Sequence, residues 1–180
     1  MEEVRKQDEL DILHDELLQE MKNSGREYQT DRIEQAYLFA REAHKDQKRL
    51  SGEPYLIHPL AVAKQLVDLG MDSESVMAGL LHDVVEDTPV ELSEIRSRFG
   101  KEVANLIDGL TKIEKIPFTS REEEQAENVR KMLIAMAGDI RVIIIKLADR
   151  VHNMSTMQFQ SPQKQRDKSR ESMEIYAPIA

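Results

Sequence analysis

No cysteine and no tryptophan occur among the 180 residues, and phenylalanine and tyrosine together supply only 4%. The first absence excludes disulfides and thiolate metal sites, so any bound metal must draw on His, Asp, Glu, Asn or water. A cysteine-free, charge-rich chain fits a reducing compartment, and the expected location is cytoplasmic. The scarcity of aromatics argues against the stacking platforms that bind single-stranded nucleic acid. Long apolar runs are missing too. The most hydrophobic stretch, Val142–Ala148, is interrupted by Lys146 and is far too short for a bilayer, which takes ~20 residues. Met1–Asp15 is charged and carries no signal-peptide pattern. A basic excess is also lacking. The 34 acidic and 25 basic residues leave a formal net charge of −9, whereas a nucleic-acid binder shows a basic surface. No membrane partner and no direct nucleic-acid partner are therefore expected. A phosphate-bearing substrate remains compatible, because a metal ion and a few Lys or Arg residues make a local positive pocket in an acidic protein.

What is present is helical periodicity over a length that suits one domain, residues 1–180. Leu10, Leu13, Leu17, Leu18 and Met21 recur at three- and four-residue spacing, which predicts a leading amphipathic helix within residues 1–25, ended by Asn23-Ser24-Gly25. Asp31 is the expected cap of a second helix bearing Ile33, Ala36, Tyr37, Ala40 and Ala43. The period vanishes between Lys45 and Tyr55, where Ser51-Gly52-Glu53-Pro54 reads as the tip of a short β-hairpin. His58-Pro59 restarts a helix that stops at Gly70. A further helix, capped by Asp72 or Ser73, is expected to run without a break to Thr88-Pro89. Two short helices follow, over 91–99 and 101–111. Residues 113–122 read as a loop, and a helix carrying Val129, Met132, Leu133 and Met136 begins at Glu122. Residues 141–157 then Ser161-Pro162 and onward complete an all-α expectation. The β-branched start of the 141–157 segment also suits a buried strand; its later spacing favours a helix.

Two segments concentrate the chemistry. On a helix, His82 and Glu86 are stacked one turn apart, as are Asp83 and Asp87. Such a group is ordinarily a solvated face. Here Leu80, Leu81, Val84 and Val85 interleave with it, which draws part of the patch toward the core, where crowded carboxylates repel unless a cation lies among them. The second segment places Asp149, His152, Asn153 and Thr156 at i, i+3, i+4 and i+7, one polar stripe beside Leu147, Val151 and Met154. Asp149 follows the most apolar run of the chain, a costly place for a carboxylate that is neither paired nor metal-bound. A salt bridge to Lys146 or Arg150 accounts for it equally well. His58 alone is weak, since most such histidines are caps or core residues. Together His58, His82, Asp83 and Asp149 supply two imidazoles and two carboxylates, a set suited to Mn²⁺, Fe²⁺ or Zn²⁺ rather than Mg²⁺. Glu86 and Asp87 stand where they can take a proton from water. His14 and His44 have no nearby carboxylate pattern and are given no role, although His44 is close enough in sequence to pack beside the site.

These residues resemble the HD phosphohydrolase superfamily, and more closely the hydrolase domain of the bifunctional RelA/SpoT homologues, which make and degrade the stringent-response alarmones ppGpp and pppGpp. The supporting strings are residues 43–59 (AHKDQKRLSGEPYLIHP), 80–88 (LLHDVVEDT), 108–112 (DGLTK) and 146–154 (KLADRVHNM). The resemblance implies an HD-type helical bundle that hydrolyses the 3′-pyrophosphate of (p)ppGpp to GDP or GTP plus pyrophosphate. It implies one Mn²⁺ held by His58, His82, Asp83 and Asp149, with Glu86 and Asp87 as the acids that activate water. Arg49, Ser51, Asn153, Lys48 and Thr156 then match substrate contacts. Two positions depart from the family pattern: Asp46 stands where glycine is frequent, and Leu50 where lysine is frequent, removing one phosphate contact. The stretch 174–180 resembles the helix that leads into a synthetase domain, and its apolar character predicts that a longer protein continues into synthetase and regulatory domains. Two other functions compete: an HD hydrolase of another nucleotide, and a non-catalytic helical module that keeps a metal for stability.

Overall fold

Helix α1 (Glu2–Asn23) lays Leu10, Leu17 and Met21 on one buried stripe along α3 (Ile57–Asp68). Lys64 seals the rim of that contact, reaching Glu16 at 2.8 Å and Glu20 at 3.0 Å. The computed structural model describes residues 2–114, 130 and 138–178. The helix expected from Glu122 and most of the loop expected over 113–122 lie outside the described residues. Ile113 and Glu114, expected in that loop, instead close α7 (Lys101–Glu114).

Helix α2 (Thr30–Ala43) buries Ile33, Ala36, Tyr37 and Ala40, as its period predicts. Its start corrects the expected cap: Asp31 lies inside the first turn, and Gln29 occupies the cap position with no side-chain cap bond. Tertiary contacts set this start. Arg32 holds the Gln29 side chain at 2.7 Å, Glu74 at 3.2 Å and the Phe99 carbonyl at 2.6 Å, while the Gln29 amide donates to Ser73. Between α2 and α3 the expected hairpin shrinks to a single antiparallel bridge, Lys48 with Pro54. It is closed by bonds from the Arg49 amide to Glu53 O and from the Gly52 amide to Arg49 O, both 2.9 Å. Gly52 takes φ +87°, which a side-chain-bearing residue rarely adopts.

A turn joins α3 to α4 (Ser73–Leu81). The Gly70 amide bonds Val67 O and the Met71 amide bonds Leu66 O, the pairing of a Schellman motif, with Gly70 at φ +68°. Asp72 then caps α4, accepting from the Ser75 amide at 2.8 Å. Every residue of α4 except Glu74 is buried, because α2, α3, α7 and α8 (Ile140–Ser155) all pack on it. A helix apolar on all sides belongs at the centre of a bundle. The uninterrupted helix expected to Thr88 is corrected: α4 ends at Leu81, His82–Asp83 form a turn, and α5 (Val84–Asp87) resumes for four residues. Helices α6 (Leu92–Phe99) and α7 are separated by Gly100. Helix α8 settles the strand-or-helix ambiguity in favour of a helix, capped by Asp139. A 3₁₀ turn (Met157–Phe159), α9 (Pro162–Glu171) and a π-helical turn (Ser172–Tyr176) follow. No helix is long and apolar enough to cross a membrane among the described residues.

Candidate active site

Three helices deliver the four expected ligands to one place. His58 stands in the first turn of α3, His82 caps the buried end of α4, Asp83 follows in the turn, and Asp149 lies in the middle of α8. Ligand atoms of His58, His82 and Asp149 lie within 4.8 Å of one another, and all three residues are buried. His58 Nε2 is 3.1 Å from Asp149 Oδ1, and His82 Nε2 is 3.8 Å from the same oxygen. Asp83 joins from the side, with Oδ1 3.1 Å from His82 Nε2 and Oδ2 3.6 Å from His58 Nε2.

The donor set fits a divalent cation. His82 Nδ1 is 2.8 Å from the Gly79 carbonyl, which accepts only from a protonated nitrogen, so the neutral ring carries its lone pair on Nε2. That Nε2 is buried and makes no aligned hydrogen bond, although Asp83 Oδ1 lies 3.1 Å away, a costly state for a lone pair beside a carboxylate unless something positive lies between them. The electrostatics say the same. Burial disfavours a charge on His82, yet the neighbouring Asp83 and Asp149 outweigh it and hold its pKa well above the ordinary value. Burial likewise opposes the charge on Asp83 and Asp149, but the facing imidazoles, with Lys146 at Asp149, hold both carboxyls well below the usual range. The field calls for positive charge at this point, which a proton or a metal ion satisfies.

The salt bridge that competed with metal binding at Asp149 is also present: Lys146 Nζ donates to Asp149 Oδ2 at 2.8 Å. Arg150 turns away, binding Glu171 at 2.9 Å and the Lys168 carbonyl at 2.8 Å. Asn153 donates its side-chain amide to Asp149 Oδ1. Arg49 reaches from the bridge across to α8, donating to Thr156 Oγ1 at 2.9 Å and Asn153 Oδ1 at 3.3 Å. Arg49, Asn153 and Thr156 are thus brought together. Ser51 donates to Glu53 within its own turn at 2.8 Å, Lys48 is exposed, and Leu50 is 69% exposed at the tip.

The break at His82–Asp83 alters the expected stacking. Glu86 is half-buried on α5. Asp87 remains beside Asp83 because the Tyr55 hydroxyl lies between them, 2.7 Å from Asp83 Oδ2 and 2.9 Å from Asp87 Oδ2. One hydroxyl proton serves two carboxylates there. Tyr55 was not singled out by its residue type, and neither was Gln47, whose amide donates to the Asp87 carbonyl at 2.7 Å. His44 does pack beside the site: it stacks on Tyr55 with ring centroids 4.7 Å apart. His152, noted only as part of a polar stripe, lies with Nδ1 2.8 Å from His58 Nδ1.

Comparison with known proteins adds to this geometry. The family model described as HD domain matches residues 36–180. A bifunctional (p)ppGpp synthase/hydrolase SpoT from Escherichia coli K12 is 53% identical over 154 residues, covering 86% of this chain and 22% of the relative. A guanosine-3′,5′-bis(diphosphate) 3′-pyrophosphohydrolase of Vibrio cholerae is 49% identical over 168 residues, covering 91% of this chain and 24% of the relative. A GTP pyrophosphokinase of Streptomyces coelicolor is 55% identical over 148 residues, covering 82% and 17%. The chain therefore spans about a quarter or less of these relatives' length. Among solved structures, one described as a metazoan orthologue of SpoT that hydrolyses ppGpp aligns with a TM-score of 0.63 and 28% identity, over 80% of this chain and 82% of that one.

Proposed function

We infer the activity of this chain from the premise that it belongs to the HD domain family: it hydrolyses the 3′-pyrophosphate of ppGpp and pppGpp, releasing pyrophosphate and GDP or GTP, with Mn²⁺ as its metal. The observation that carries this is the convergence of buried His82, His58 and Asp149 ligand atoms within 4.8 Å of one another. The substrate class follows from relatives named for (p)ppGpp hydrolysis and from a structural neighbour described as hydrolysing ppGpp. A relative named for GTP pyrophosphokinase also matches most of this chain. A longer protein with synthetase and regulatory domains, and a cytoplasmic location, belong to the same proposal.

His58, His82, Asp83 and Asp149 would hold the ion. Bound there, a divalent metal acts as a Lewis acid toward a phosphoryl oxygen and acidifies water. Glu86 and Asp87 accept the proton of the attacking water. Tyr55 keeps the Asp87 carboxylate turned toward Asp83. Arg49 presents a planar fork that suits a phosphate, and Thr156 and Asn153 hold it ready. Ser51 and Lys48 flank that arginine on the same turn, as further phosphate contacts.

The test is an assay of the chelated and Mn²⁺-restored protein against ppGpp, pppGpp and other nucleotides, with products separated by chromatography. GDP or GTP should appear with pyrophosphate only when Mn²⁺ is restored. Glu86→Gln and Asp87→Asn should abolish hydrolysis while Mn²⁺ binding persists. Cleavage of other nucleotides with ppGpp untouched would point to a different HD hydrolase. A protein that binds Mn²⁺, is destabilised by His82→Ala and turns over nothing would be a non-catalytic module.

A further inference from the structure

We propose that His152 is a positioning residue for the metal centre, accepting the Nδ1–H of His58 and so fixing that ring in the tautomer whose Nε2 lone pair faces Asp149 and His82. The inference rests on the divalent-metal reading above and extends it to a residue outside the ligand set. The two Nδ1 atoms lie 2.8 Å apart between α3 and α8, with ring centroids 4.9 Å apart. At that separation the pair holds one proton between them: two N–H groups collide, and two lone pairs repel.

An imidazole binds a cation only through a nitrogen that carries no proton. His58 Nε2 is the atom turned toward Asp149 at 3.1 Å and Asp83 at 3.6 Å. With a cation there, neutral His58 keeps its single proton on Nδ1 and needs an acceptor for it. His152 Nδ1 is placed to be that acceptor, provided His152 is neutral with its own proton on Nε2.

The two ligand imidazoles are thereby oriented in parallel ways. His82 gives its Nδ1–H to the carbonyl of Gly79 on its own helix. His58 lies in the first turn of α3, and the partner of its Nδ1 comes from α8. One turn of α8 then supplies both a ligand, Asp149, and the group that orients a ligand from another helix. Partners of this kind fix tautomer and ring direction, and their loss typically costs about 10–100-fold in metal affinity.

Mn²⁺ titration calorimetry on the 180-residue chain compares His152→Leu, which has no acceptor, with His152→Gln, whose amide oxygen can accept. The expected result is a loss of about 10–100-fold for leucine and recovery of most of it by glutamine. Nitrogen-15 NMR of the unaltered chain loaded with diamagnetic Zn²⁺ reads the tautomers directly. It should show His58 protonated on Nδ1 and His152 unprotonated on Nδ1, whether or not the leucine variant folds. The reverse assignment, wild-type affinity in His152→Leu, or equal losses in both variants would overturn the inference. An unaltered chain that binds neither ion would instead overturn the metal reading itself, and this inference with it.

Discussion

Gly79 lies on α4 one turn before His82, and its carbonyl holds the His82 ring at 2.8 Å. A Cβ at this position would lie 2.6 Å from Leu66 Cδ1, 3.5 Å from Val62 Cγ1 and 3.7 Å from the Ala63 Cα. Gly79→Ala therefore sets two effects against each other. A helix-interior alanine is favoured over glycine by about 0.8–1.0 kcal/mol. Against that, carbon atoms prefer a separation of roughly 3.5–4.0 Å, so Leu66 must move by about 1 Å. Leu66 is fully buried, so its Cδ1 must shift within close-packed surroundings, and overpacking of this kind costs about 1–3 kcal/mol. The expected net effect is a loss of roughly 1 kcal/mol. Because His58 lies on α3 and His82 caps α4, any widening of the α3–α4 contact also separates two of the proposed metal ligands. Urea denaturation followed by circular dichroism, with chelator and with Mn²⁺, reads both consequences: the loss should be larger in the metal-loaded protein. Adding Leu66→Ala, which alone costs about 2–5 kcal/mol, should destabilise by less than the sum, since the new methyl fills part of the cavity. A Gly79→Ala protein more stable by the whole propensity gain, or strict additivity with Leu66→Ala, would refute the reasoning.

Lys146→Met removes one partner of a buried pair and leaves the Asp149 charge less compensated, so the chelated protein should lose about 3–5 kcal/mol in urea titrations. The double variant with Asp149→Asn should regain part of that, and no recovery would count against the pairing. In acid, Asp72 and Asp139 set the sign. Burial raises the Asp72 pKa, but its bonds from Ser75 and Arg141 outweigh this and hold it below the ordinary value; Arg141 does the same at Asp139. The stability they contribute is complete above the unfolded carboxylate pKa near ~4 and is lost as pH falls through the folded values. Asp72→Asn, which keeps the cap acceptor, should flatten the decline of urea midpoints below pH ~4. An unchanged slope would show that the Asp72 charge is not responsible. At the exposed tip, Leu50→Lys should lower KM for ppGpp by about 2–5-fold with kcat little changed, the scale of one exposed charge contact. A change in kcat alone would place that residue's effect elsewhere.

Periodicity made most helices legible because their buried stripes follow the 3.6-residue repeat, as in Leu10, Leu17 and Met21 or Ile33, Ala36, Tyr37 and Ala40. The break at His82–Asp83 was not legible. Leu80, Leu81, Val84 and Val85 carry the helical period straight through it, and no glycine or proline marks it. The local sequence shows no signal for a turn there, whereas the folded chain surrounds Asp83 with partners from distant elements, Tyr55 and His58 among them. The cap of α2 was misplaced for a similar reason, since Arg32 and Ser73 fix that end from outside the helix. His152 reads in the sequence only as part of a polar stripe, because i+3 spacing from Asp149 is what any such stripe shows. Only the approach of α3 distinguishes it from a surface residue.

Asp149 shows why the alternatives weighed from sequence need not compete. A carboxylate has two oxygens, and here they face different ways. Oδ2 takes the Lys146 ammonium, while Oδ1 faces His58 and His82. The ion pair lowers the cost of burying the charge, and it occupies the oxygen that a metal does not need. Asn153 binds Oδ1 from the same helix, one turn on, and in turn accepts from Arg49. The side chain that fixes Asp149 Oδ1 is therefore also the one that accepts from Arg49. Under the function proposed above, a substrate phosphate that drew Arg49 away from Asn153 would act on a side chain that also touches Asp149.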